Sequence, residues 1–308
     1  MNSVVSPNPL PIAQCRDALT RRRAAAGVAI RRSVGLNVAP PPRCDDPDLS
    51  YCDVHGIARV VHRELPSRLV GGLGSLYFQM LHPLAMAGVA DHSHYQDDPL
   101  GRLLSTANFI SATTFGTRDA AESAIDRVLT VHQFIHGVAD DGRPYDANDP
   151  HLLLWVHCAE IYMFLAAFRR FGSRRLSDSE ADRYVSEMAP LAEALGVVHA
   201  PRTVDELTAA LLSFRRELRL SADGEVARDF IAYGLMESRA QRLIYRLMVL
   251  SAWSLLPRYA QEQLGVRRSS LVDRMCTRPA TSLLCAAMRF AMPAPRQVSA
   301  SPPSTATT

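Results

Sequence analysis

The residues best equipped for chemistry lie between His82 and Gly137. Five histidines, Arg102 and Thr106 stand there among apolar helical segments. Neutral imidazole binds transition metals, and a guanidinium or hydroxyl steers a bound oxygen ligand or carboxylate. His132 follows Ile125, Val128 and Leu129 at the i, i+3, i+4, i+7 spacing of a core-facing stripe, in a place that suits leucine. A buried imidazole there must find hydrogen-bond partners or bind a metal. His136 follows as one more turn of the same predicted helix.

A second set lies in LLLWVHCAEIYMFL, where His157 and Glu160 are three apart on one side of an apolar helix. Di-iron bundles supply E-x-x-H twice; here the order is reversed and occurs once, which is weak support for such a centre. Arg102 and Thr106 are four apart and share a helix face. Arg102 either edges a pocket, where it pairs a carboxylate or polarises dioxygen, or forms a surface ion pair with Asp97 or Asp98. His92 and His94 form H-x-H in a polar loop, where a capped turn competes with chelation. No C-x-x-C, C-x-x-C-H, G-x-G-x-x-G, Walker A or G-x-S-x-G pattern occurs, so zinc ribbons, covalent haem, nucleotide cofactors and the common serine hydrolases are unsupported.

Helices must position these groups. Apolar residues recur at helical spacing through most of the chain, and strand signals are sparse. Helices are predicted at 56–64, 68–81, 83–91, 99–115, 118–137, 149–171, 178–195, 204–218, 225–233, 238–253, 256–264 and 269–289. Thr117, Asn148 and Ser177 with Glu180 are the predicted caps, and Gly137 and Gly172 the predicted stops. The fold class is all-α: one large bundle-like domain over 45–291, with an irregular basic leader at 1–44, holding a short helix near 13–32, and a disordered tail at 292–308.

Hydrophobic content of 47% and 21% charged residues describe a globular chain with a large core. A net charge of +3 favours no polyanion, so no nucleic-acid partner is expected. No run of 18 purely apolar residues appears, so no transmembrane helix is expected. The arginine-flanked leader argues against a secretory signal and leaves peripheral membrane contact as an alternative. Six scattered cysteines read as free thiols of a reducing, cytoplasmic setting.

Taken in order, QMLHPLAMAGVADHS, DPLGRLLSTANFISATTFGT, VHQFIHG, PYDANDPHLLLWVHC and RFGSRRLSDSEADRYVSEM resemble a bacterial and fungal family of all-helical haem proteins. It contains latex-clearing rubber oxygenases and the mycophenolate-pathway oxygenase. The resemblance is good over 68–215 and looser beyond. It implies a haem b-dependent oxygenase that uses dioxygen on a small apolar, unsaturated substrate. It implies His132 as the iron ligand and Arg102 and Thr106 as distal catalytic and cofactor-binding groups. His157 is the further cofactor-binding candidate, ahead of His136. The lysine between the distal pair of the rubber oxygenases is Ser105 here, a departure in distal chemistry. The alternatives are a haem-binding sensor or carrier without turnover, and a helical scaffold whose histidines are structural.

Overall fold

The structure, a computed structural model, describes residues 43–93, 95–233, 239–266 and 269–291. The predicted leader helix, His94 and the tail from 292 lie outside the described residues. The chain is built from α1 (Ile57–Arg63), α2 (Leu65–Gln79), α3 (Pro83–His92), α4 (Pro99–Phe115) and α5 (Arg118–His132). A short hairpin of β1 (His136–Val138) and β2 (Pro144–Asp146) follows, antiparallel, with Gly137 opposite Tyr145. Then come α6 (Pro150–Phe171), α7 (Asp178–Ala194), α8 (Val204–Ser213), α9 (Ala222–Tyr233), α10 (Arg239–Leu255), α11 (Arg258–Gln263), α12 (Ser270–Val272) and α13 (Arg278–Ala291). A 3₁₀ turn, Phe214–Arg216, follows α8, and a π turn, Asp273–Thr277, splits the predicted 269–289 helix. The fold is all-α apart from the hairpin.

Local chemistry sets the ends. Proline opens α3, α4 and α6, where the missing N–H has no helical partner to lose. Thr117 accepts from the Ala120 amide, and Ser177 and Glu180 form a full capping box. Gly172 ends α6 as predicted. Two expectations need correction. The cap of α6 is Asp149, whose carboxylate accepts from the His151 amide at 2.9 Å, while Asn148 donates its own amide to Asp146. And α5 ends at His132, five residues before the predicted stop at Gly137. The following residues pair as β1 because Tyr145 is buried against them. A Cβ on Gly137 would lie 2.6 Å from the Tyr145 phenol oxygen, so only glycine lets the strands close. His136 is therefore an exposed strand residue, not a further turn of the stripe.

The core is organised on α6, which packs most extensively along α2. Gly71 permits this: its missing Cβ would stand 3.0 Å from the Phe164 Cα. Trp155 is fully buried and donates to the Gln79 carbonyl at 3.1 Å. Helices α7, α8 and α10 add further cover. Among the described residues α6 alone is long and apolar enough to cross a membrane, and its packing explains its composition: it is the core helix. The pair α4–α5 is different. These helices pack on each other and α4 on α1, but α4 makes little contact with α6. His62 of α1 fixes this side, its Nδ1 2.9 Å from Thr114 Oγ1 and its Nε2 3.1 Å from the Tyr184 hydroxyl. Burial drives its pKa down to about 3, so the ring bridges as a neutral group.

Candidate active site

Helices α4 and α5 are joined by two residues and run back along each other. The first turns of α4 therefore lie at the same end as the last turn of α5. That topology brings Arg102, Thr106 and His132 to one end of the helix pair. The stripe on α5 opens toward this end: Ile125 is buried, while Val128, Leu129 and His132 are half-buried. Among the described residues His132 Nδ1 is buried without a hydrogen-bond partner. Burial lowers the His132 pKa against the opposing pull of Asp146, so the ring is neutral near pH 7 and keeps a free lone pair.

Arg102 is exposed by surface area, and its guanidinium donates to Ser93 Oγ at 2.7 Å. Asp98, one of its two expected ion-pair partners, is occupied as the cap of α4 and accepts from the Gly101 amide at 2.9 Å. Desolvation nevertheless lowers the Arg102 pKa. Thr106 is exposed on the next turn, its hydroxyl bonded back to the Arg102 carbonyl at 3.2 Å. Ser105 beside it is also exposed.

The same signature recurs on α6. Val156, His157 and Glu160 form a half-accessible stripe on a helix otherwise largely sealed in the core. His157 Nε2 is buried without a partner among the described residues, and burial lowers its pKa to about 4. Burial raises Glu160 to about 7. Helix α4 makes few contacts with α6. Solvent-reached surface outside this region includes a shallow cavity of about 350 Å³ lined by Arg43, Cys44, Ala112 and Thr117. A second groove follows the outer face of α5 past Asp119, Ser123 and Thr130. Neither contains any of the histidines above, and neither gathers orphaned polar atoms, so the chemistry is better sought where the unpaired imidazoles are.

The segment that follows His132 is firmly held. The Tyr145 hydroxyl donates to Asp91 in a short hydrogen bond and lies 3.1 Å from His92 Nε2. Burial and the Asp91 carboxylate raise the Tyr145 phenol to about 12, which keeps it a proton donor. This triad bolts the hairpin to α3, and through it the segment that follows His132. His92 is thus occupied by structure, and the H-x-H reading loses one member.

A further constellation escaped the sequence. His82, His151 and Glu217 present ligand atoms within 4.8 Å of one another. They come from the cap of α3, the first turn of α6 and the residue after the 3₁₀ turn. Glu217 is far from both histidines in the chain, so no spacing rule could find the set. The only signal was His82 immediately before Pro83.

Comparison with curated proteins gives no match, and comparison with solved structures gives none. A family model does match, over residues 59–290, which is nearly all of the described helical assembly. Its description is the catalytic domain of the ER-bound oxygenase mpaB/B′ and rubber oxygenase. Helical architecture, ordered motifs and this match agree, and the chain belongs to the mpaB/rubber oxygenase catalytic-domain family of oxygenase enzymes.

Proposed function

We propose that the protein is a haem b-dependent oxygenase acting with dioxygen on a small apolar, unsaturated substrate. The observation that carries this reading, beside the family match, is the pair of buried imidazole nitrogens without a partner among the described residues, His132 Nδ1 and His157 Nε2. Buried polar atoms are normally satisfied, so unpartnered imidazole nitrogens on α5 and α6 suit a bound group that would take them up. His132 offers the neutral nitrogen that an iron porphyrin requires, and helix faces with few charges suit the macrocycle. A bound haem supplies the activation of dioxygen.

The chain supplies the rest. His132 would hold the iron, and His157 would border the cofactor. Arg102 offers N–H donors that would orient an oxygen-bearing ligand, and Thr106, whose O–H donates to the Arg102 carbonyl, offers its hydroxyl oxygen beside them. Glu160, with its pKa raised to about 7, can hold or release a proton near neutrality. The test is the absorption spectrum of the full chain supplied with haem. A Soret band at one haem per chain supports the reading, and its absence refutes it. Ser105, where the rubber oxygenases carry lysine, favours a second reading, a haem-binding sensor or carrier. Turnover of an unsaturated lipid by the loaded protein under oxygen separates the two.

A further inference from the structure

Beyond the oxygenase site, we propose that His82, His151 and Glu217 form a binding site for a divalent transition-metal ion of the zinc class. None of the three is assigned a role toward haem above, so the inference stands or falls separately.

The geometry is close to what an ion needs. His82 Nε2 lies 3.4 Å from Glu217 Oε2, and His151 Nε2 lies 2.9 Å from the same oxygen. In a tetrahedral zinc site, ligand atoms at about 2.0–2.1 Å from the metal stand roughly 3.3 Å apart. All the offered atoms already lie within 4.8 Å, so small side-chain rotations complete the set. Two imidazoles and one carboxylate are a donor set that zinc accepts with one position left open. That position lies on the solvent side, since His151 and Glu217 are 51% and 35% exposed.

The site is rigid on its inner side. His82 is fully buried, yet its Nδ1 has no partner and its Nε2 contact is long for a charge-assisted bond. Phe214 packs against both rings, 4.4 Å from His151 and 6.2 Å from His82. Arg219, two residues after Glu217, donates its amide to the Leu81 carbonyl at 2.8 Å, which pins the carboxylate segment to the His82 segment. Arg143, the nearby cation that acts on His82, is paired with Asp141, which also takes Arg219. Metal here would clamp the cap of α3, the start of α6 and the segment after α8.

Calorimetric titration of Zn²⁺ into the chelator-treated, tag-free full chain tests this. Expected is saturable binding of one ion per chain, weakened tenfold or more in both His151→Ala and Glu217→Gln. Both positions are partly exposed, so these variants should fold even where a His82 variant does not. His55→Ala, an exposed histidine elsewhere, should bind as the parent does. The same titration on haem-loaded protein should leave the Soret band unchanged. No saturable binding overturns the proposal, and so does binding that neither variant weakens.

Discussion

Arg102 reaches back over the loop that precedes α4 and donates to the hydroxyl of Ser93, 2.7 Å away. The guanidinium is thus held by a neutral partner, and among the described residues no carboxylate pairs with it. An arginine kept this way is suited to an incoming anionic or strongly polarised oxygen. Arg102→Ala should leave haem content near that of the parent and reduce dioxygen-dependent turnover by ~10²-fold, the cost of one preorganised donor at a reacting oxygen. A purely structural surface arginine predicts instead about 0–1 kcal/mol of lost stability and normal turnover. Haem occupancy and turnover, measured together, decide.

His132→Ala should abolish stable haem retention. His157→Ala should keep the haem and shift its spectrum. Gel filtration of haem-loaded protein, followed by absorption across the Soret region, reads both. Full occupancy with an unchanged spectrum in His132→Ala would show the ligand to be elsewhere.

Glu160 makes stability depend on pH in a defined sense. Its folded pKa of about 7 lies above the unfolded value, so the folded state retains a proton that the unfolded state gives up. Stability from this group is full below the unfolded carboxylate range and is lost as pH rises toward about 7 and through it. Glu160→Gln removes that dependence. The variant should gain thermal stability relative to the parent at pH 8, and gain less or none at pH 5. Buried His157 acts oppositely: its folded pKa of about 4 is depressed, so its neutral form loses ground as pH falls from the unfolded value toward 4. Melting curves of both proteins at the two pH values check the sign.

The α2–α6 seam should distinguish neighbouring glycines. Gly71→Ala places a methyl 2.8 Å from the Phe164 ring and 3.0 Å from its Cα. Overpacking of about 1–3 kcal/mol should outweigh the roughly 0.5–1 kcal/mol that alanine gains in a helix. Gly72→Ala has only a ring atom at 4.0 Å and should be neutral or stabilising. Denaturant melts of the two variants give the comparison.

Much of this fold could be read before the coordinates, and the reasons are local. Thr117, Ser177 with Glu180, and the prolines opening α3, α4 and α6 act within one helical turn, so their sequence signals survive folding. The stripe through Ile125 and His132 was legible because its period is fixed by the helix. The end of α5 was not: Gln133–Gly137 continues the helical pattern, and only Tyr145, buried from the far side, pulls the segment into a strand. The His82–His151–Glu217 cluster was hidden for the same reason, since its members meet only through tertiary packing. The four-residue spacing does put Arg102 and Thr106 on consecutive turns of α4, but what they face is set by tertiary packing that no spacing encodes.

The apolarity of α6 also bears on how the protein is made. A segment this greasy resembles cargo for a membrane-insertion channel until something covers it. During synthesis α2 leaves the ribosome first, so one flank of α6 meets a ready partner as it emerges. The flank later covered by α7, α8 and α10 must wait for those segments. That interval is when a nascent chain is most exposed to aggregation or misdirection. Substitutions that loosen the α2 seam therefore threaten yield before they threaten activity, and chaperone supply during expression should matter most for those variants.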